Sequence, residues 1–142
     1  MSFREKSAWI CLLSTLLVFT PYFVHVWGLF QQGRPVNVAE IWVSFALAVV
    51  VQTVITVATH IALAWQAARE PEDERDTVID SMAYRRAYIV LSVSIALLLC
   101  LSVWGPEMSV IAIGQWLLFA FVVAEVTKYA GQVVGYRHGV AR

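Results

Sequence analysis

Residues 41–64 read IWVSFALAVVVQTVITVATHIALA and contain no lysine, arginine, aspartate or glutamate. A helix rises about 1.5 Å per residue, so a stretch of this length is sufficient to cross the roughly 30 Å of hydrocarbon in a bilayer. A long apolar run without fixed charge is typical of a transmembrane helix rather than of a helix in a water-soluble core. The stretch therefore places the chain in a membrane.

The rest of the chain repeats this pattern. Similar windows cover residues 8–30, 87–104 and 109–129, and the joints between them are too short to hold another domain. Hydrophobic residues make up 60% of the chain and charged residues 14%, whereas soluble domains are about 25% charged. We therefore predict an all-α integral membrane protein, a single domain of residues 1–142 in which four spans form a four-helix bundle.

The basic residues predict the orientation of the spans. Every lysine and arginine except Arg34 lies near a terminus or between spans two and three. By the positive-inside rule, both termini and the loop of residues 69–86 should lie in the cytoplasm, with the protein in the inner membrane. The formal net charge is zero, so we expect no binding to nucleic acid. The partner that the four spans predict is the lipid bilayer.

More than half of the acidic residues fall in one segment, REPEDERDTVIDSMAYRRAY at 69–88. Pro71 followed by acids is typical of a helix start, so we predict a helix that runs through Tyr84 into span three and projects from the membrane. Its apolar residues recur at helical spacing and need a cover. These are Val78, Ile79, Met82 and Ala83. The inner end of helix two, the C-terminal segment and a partner protein are the candidates for that cover.

This charged cytoplasmic hairpin is the predicted interaction site, for a protein partner or for a second copy of the chain. The residues assigned to it are Asp73, Glu74, Arg75, Asp76, Ile79, Arg85 and Arg86. A helix would spread the carboxylates around its circumference, so we expect no divalent-cation site there. No metal and no cofactor is predicted for the chain.

Small and polar residues recur along the predicted spans. Helix two carries a stripe expected to face the bundle, either as interhelical hydrogen bonds or as a transport path. It consists of Ser44, Gln52, Thr56 and Thr59. In helix three, Ser92, Ala96 and Cys100 predict a close-packing seam. Gly131, Gly135 and Gly139 lie four residues apart, a spacing that either allows close helix approach or frays the helix at the membrane edge.

Ionisable groups within the spans define a second candidate site. His60 of helix two and Glu125 of helix four have similar predicted depths, and Lys128 and Tyr129 lie one turn after Glu125. One interpretation is an ion pair in which Lys128 reaches toward the cytoplasmic interface while His60 serves in packing. The other is a proton-responsive site, since an ionisable group inside the bilayer is costly unless it is paired or hydrated.

Two strings outside the spans carry a resemblance. The segment DERDTVID followed by SMAYRRAY, together with the ending KYAGQVVGYRHG, resembles a group of small bacterial four-span membrane proteins with a cytoplasmic DER(D/E)xxI loop and a YRxG-like tail. The matching positions are Asp73, Glu74, Arg75, Asp76 and Ile79 in the loop, and Tyr136, Arg137 and Gly139 in the tail. The resemblance implies the same topology in a bacterial membrane and transfers no catalytic residue.

The sequence lacks the usual signatures of soluble enzymes, including CxxC, HExxH, GxSxG and a glycine-rich phosphate loop. We therefore predict that the protein is not an enzyme. The predicted function is that of an interaction or accessory component that acts through the cytoplasmic hairpin. The alternative is a small proton-coupled transporter that uses Glu125 and His60.

Overall fold

A computed structural model describes residues 3–32, 37–67, 74–105 and 107–138. These residues form α1 (Phe3–Gln31), α2 (Val38–Ala67), α3 (Glu74–Trp104) and α4 (Val110–His138). The chain divides into two compact units, one containing α1 and α2 and the other containing α3 and α4. Each unit is a pair of helices packed side by side.

All four helices are long and apolar enough to cross a membrane. This confirms the prediction of an all-α chain with four span-length helices. The helices α1, α2 and α3 begin before their predicted windows, and α1, α2 and α4 continue past the ends of theirs. The bundle of all four helices, the single domain and the orientation of the termini stay predictions.

The α1–α2 unit is held by contacts along one face of each helix. Asn37 caps α2, because its side-chain oxygen accepts a hydrogen bond from the backbone N–H of Ala39 at 3.1 Å. The rings of Tyr22 and Phe45 lie 6.3 Å apart between the two helices. Pro21 lies within α1, which continues through it.

The α3–α4 unit is packed through small residues. The buried positions Ile79, Ala83 and Ala87 follow one another at four-residue spacing on α3, and Ala120 and Ala124 do the same on α4. In contrast, the predicted seam of helix three is exposed. This seam comprised Ser92, Ala96 and Cys100. That prediction was wrong for the contact with α4, because at 3.6 residues per turn these residues fall on the opposite side of α3 from the buried face.

Candidate functional site

Both helices of the α3–α4 unit are longer than a bilayer requires. The helix α3 has 31 residues, whereas about 20 residues cross the hydrocarbon. Counted from Trp104, the hydrocarbon-length part of α3 reaches back to about residue 85. We call residues 74–86 of α3 and residues 128–138 of α4 the stalk. Its α3 part confirms the prediction of a helix that continues into span three.

Glycines let the two helices of the stalk approach closely. A Cβ atom added at Gly131 would lie 3.5 Å from the Cβ of Ala83, and one added at Gly135 would lie 2.7 Å from the Cγ2 of Ile79. Ile79 is 2% exposed and Ala83 is 1% exposed. Of the three candidates for the cover of this apolar face, the C-terminal segment covers Ile79 and Ala83. The other two residues of the predicted face, Val78 and Met82, are exposed. The third glycine of the series, Gly139, lies outside the described residues.

A polar contact fixes the same register. The Gln132 side-chain amide donates a hydrogen bond to the Asp80 carboxylate at 2.9 Å. Asp80 follows Ile79 by one residue, and Gln132 follows Gly131 by one, so the polar contact runs beside the apolar one. A bond to a charged group is stronger than one between neutral groups. The stalk therefore joins its helices by both shape and hydrogen bonding.

Lys128 closes the membrane end of the stalk. Its ammonium group is paired with the Glu125 carboxylate one turn earlier. The nitrogen lies 4.3 Å from the centre of the Tyr129 ring and 5.3 Å from that of the Tyr84 ring, within the range of cation–π contacts. The side chain is 10% exposed. Lys128 is therefore covered by its neighbours. The ion pair with Glu125 that the first interpretation expected is present, and the reach of Lys128 toward the cytoplasmic interface stays a prediction.

The charged residues predicted as an interaction site divide into two groups. Glu74, Arg75, Arg85 and Arg86 are exposed, and Asp76 is half-buried. Ile79 is instead buried in the contact with Gly135. Asp73 lies outside the described residues. Glu74, Arg85 and Arg86 remain available for a partner, whereas Ile79 holds the stalk together.

In the first unit, the polar stripe of α2 meets two hydroxyls of α1. The Gln52 amide nitrogen lies 3.3 Å from Ser14 Oγ, 3.2 Å from Thr15 Oγ1 and 3.4 Å from Thr56 Oγ1. Ser14 and Thr15 donate their own protons to the Cys11 carbonyl, so toward Gln52 they act as acceptors. Thr59, another residue of the stripe, donates a hydrogen bond to the backbone carbonyl of Ile55 in its own helix. Ser44 is half-buried.

The histidines of the first unit have different surroundings. His60 is exposed, and its Nδ1 lies 2.8 Å from the Thr56 carbonyl, which can only accept, so Nδ1 carries a proton. His25 lies near the other end of the α1–α2 unit, with Nε2 3.6 Å from a Glu40 carboxylate oxygen. His60 and Glu125 belong to different units, and a joint site made by the two stays a prediction.

Several partners in the stalk are absent from the sequence prediction. Tyr84 was named only as part of the helix that runs into span three, and Asp80 and Gln132 were given no role. The signal for this contact was the matching four-residue spacing of Ile79, Ala83 and Ala87 with the glycines of the tail. An antiparallel pair brings such series together, but only once the register is known.

The four span-length helices have the features of a multi-pass α-helical membrane protein. Among the described residues, no three histidine, cysteine, aspartate or glutamate side chains are grouped so that they could hold a metal ion. No protein-family model, curated protein or solved structure matches the chain. The resemblance to small bacterial four-span proteins stays a prediction.

Proposed function

We propose that the protein is an accessory component of a bacterial inner membrane that docks another protein on the acidic tip of its stalk. Both termini and the stalk face the cytoplasm in this proposal, as the distribution of basic residues indicates. The tip is the first turn of α3, where Glu74 and Asp76 lie. The partner is a protein that presents a basic segment close to the membrane surface.

One observation carries this proposal: the α3 part of the stalk is fixed against α4 by the chain itself. Ile79 and Ala83 are buried against α4, whereas Val78 and Met82 of the same predicted face are 43% and 39% exposed. At the tip, Glu74 is exposed and has no hydrogen-bond or ion-pair partner among the described residues. A helix that is held against its neighbour loses little conformational entropy when its exposed surface binds a partner.

Proton-coupled transport is a weaker account of the same residues. Glu125 is paired with Lys128, so its carboxylate is compensated within its own helix. The pairing accounts for an ionisable acid at this depth without a proton-transfer role. We therefore use Glu125→Gln as a variant that should leave docking intact.

The docking proposal is tested by photo-crosslinking in native membranes. A photoreactive residue at Thr77, which is exposed beside the tip, should form an adduct with one other protein. Glu74→Lys should lower the yield of this adduct by more than about tenfold, since juxtaposed like charges cost several kcal/mol. High salt should weaken it as well.

Glu107→Lys is the matched control, because Glu107 is also exposed but lies in the link between α3 and α4 at the other end of the unit. This variant and Glu125→Gln should keep the full adduct yield. An adduct that survives Glu74→Lys would overturn the acidic-tip proposal. An adduct of the chain with itself would replace the separate partner by a second copy.

A further inference from the structure

Two arginines at the base of the stalk take no part in the contacts that hold α3 and α4 together. Arg85 and Arg86 are exposed, and neither has a hydrogen-bond or ion-pair partner among the described residues. The sequence explains why. No acid lies three or four residues before or after either arginine, so α3 offers them no ion pair along the helix.

Nearby acids on both helices of the unit are already engaged. Asp80 accepts a hydrogen bond from Gln132, and Glu125 is paired with Lys128. Lys128, the remaining cation at this level, is buried between two tyrosine rings. The two arginines are therefore the cations at the base of the stalk that remain available to a ligand from outside the unit.

The depth of the arginines follows from helix geometry. The stretch from Ala87 to Trp104 has no charged residue and, at about 1.5 Å per residue, covers about 27 Å, close to the hydrocarbon thickness of a bilayer. The guanidinium groups consequently lie at the level of the lipid headgroups. Tyr84 is 58% exposed and Tyr88 is 72% exposed, and tyrosines at this level are typical interface anchors.

We propose that Arg85 and Arg86 form a binding site for the headgroup of an anionic phospholipid. Guanidinium groups bind phosphate oxygens through paired hydrogen bonds. The two flanking tyrosines border the acyl chains next to the headgroup. The site is separate from the acidic tip, and the proposal does not depend on the docking of a partner protein.

The test uses the purified full-length chain in detergent micelles, with phosphatidylglycerol or phosphatidylcholine titrated in and bound lipid counted by native mass spectrometry. The intact protein should retain phosphatidylglycerol at concentrations where phosphatidylcholine is lost. The double variant Arg85→Gln and Arg86→Gln should bind phosphatidylglycerol about 25-fold more weakly, because each basic side chain near an anionic surface contributes about fivefold.

A charge-preserving variant separates this effect from misfolding. Arg85→Lys with Arg86→Lys should keep most of the selectivity for phosphatidylglycerol, and all variants should keep the helix content of the intact protein. Equal retention of the two lipids by the intact protein would overturn the proposal. Unchanged binding by the glutamine variant, or an equal loss in the lysine variant, would also overturn it.

Discussion

Gln52 shows how a single polar side chain joins two apolar helices. Its amide nitrogen faces the hydroxyls of Ser14 and Thr15 on α1. Its Oε1 atom is buried and has no hydrogen-bond donor among the described residues. A buried acceptor without a donor costs free energy, which offsets part of what the three amide contacts contribute. The net stabilisation by Gln52 is therefore smaller than the number of contacts indicates.

A double-mutant cycle measures the part that belongs to the contact between the helices. Gln52→Leu and Thr15→Val should be coupled by about 0.6 to 1.7 kcal/mol, the range of interhelical hydrogen bonds in membranes. The measurement is the free energy of unfolding of the purified protein in mixed micelles. Gln52→Leu combined with Thr59→Val is the control. Thr59 bonds to its own helix, so this pair should be additive, and coupling as large as that of the first pair would contradict the account.

The sequence indicated this contact only from one side. A spacing of four or seven residues predicts that Gln52 and Thr56 share a face, and Gln52 does face α1. Ser14 and Thr15 were not predicted as partners, because each also satisfies itself on the Cys11 carbonyl. A hydroxyl that can bond within its own helix gives no periodic signal of an interhelical contact.

At the scale of the helices, the stalk depends on where the glycines lie. Gly135 stands so close to Ile79 that no side chain fits between them, whereas Gly131 leaves room for ordinary contact with Ala83. The two glycines lie one helical turn apart on the same face of α4, yet only Gly131 has room for an added methyl group. They therefore provide a matched pair of substitutions.

Gly135→Ala should destabilise the second hairpin by about 1 to 3 kcal/mol, the usual cost of overpacking. Gly131→Ala should be neutral or stabilising by up to about 1 kcal/mol, because alanine favours helix. Unfolding of each variant in mixed micelles gives both values. Ile79→Ala should relieve Gly135→Ala by removing the clashing methyl group, and equal effects of the two alanines would contradict the register described above.

The helices were predictable and their ends were not. Apolar windows with little or no fixed charge locate α1 to α4 because lipid penalises charge. The window 109–129 ended at the last apolar run, but α4 continues to His138. Packing against α3 supplies the stabilisation there, and a prediction from one helix alone cannot include its neighbour. The exposure of Ser92 and Cys100 also depends on the neighbouring helix. A row of small residues indicates a face that can pack closely, but it does not indicate which face of α3 contacts α4.

On the scale of the whole molecule, four span-length helices form two units of paired helices, and the stalk belongs to the α3–α4 unit. In the proposed function, the acidic tip of this stalk contacts a protein and its arginine base contacts lipid. Both roles require the α3 and α4 helices to stay paired after they leave the hydrocarbon. This pairing places Ala83 of α3 against Gly131 of α4.

Disulfide formation between Ala83→Cys and Gly131→Cys tests the pairing of α3 with α4 in the stalk. The Cβ atoms would lie 3.5 Å apart, within the range that a disulfide requires. In a background with Cys11→Ala and Cys100→Ala, mild oxidation of native membranes should protect both new thiols from maleimide labelling. Ser81→Cys with Gly131→Cys is the control, because Ser81 is exposed on another face of α3. Protection of the first pair alone is the predicted result, and labelling of both pairs after oxidation would contradict the paired stalk.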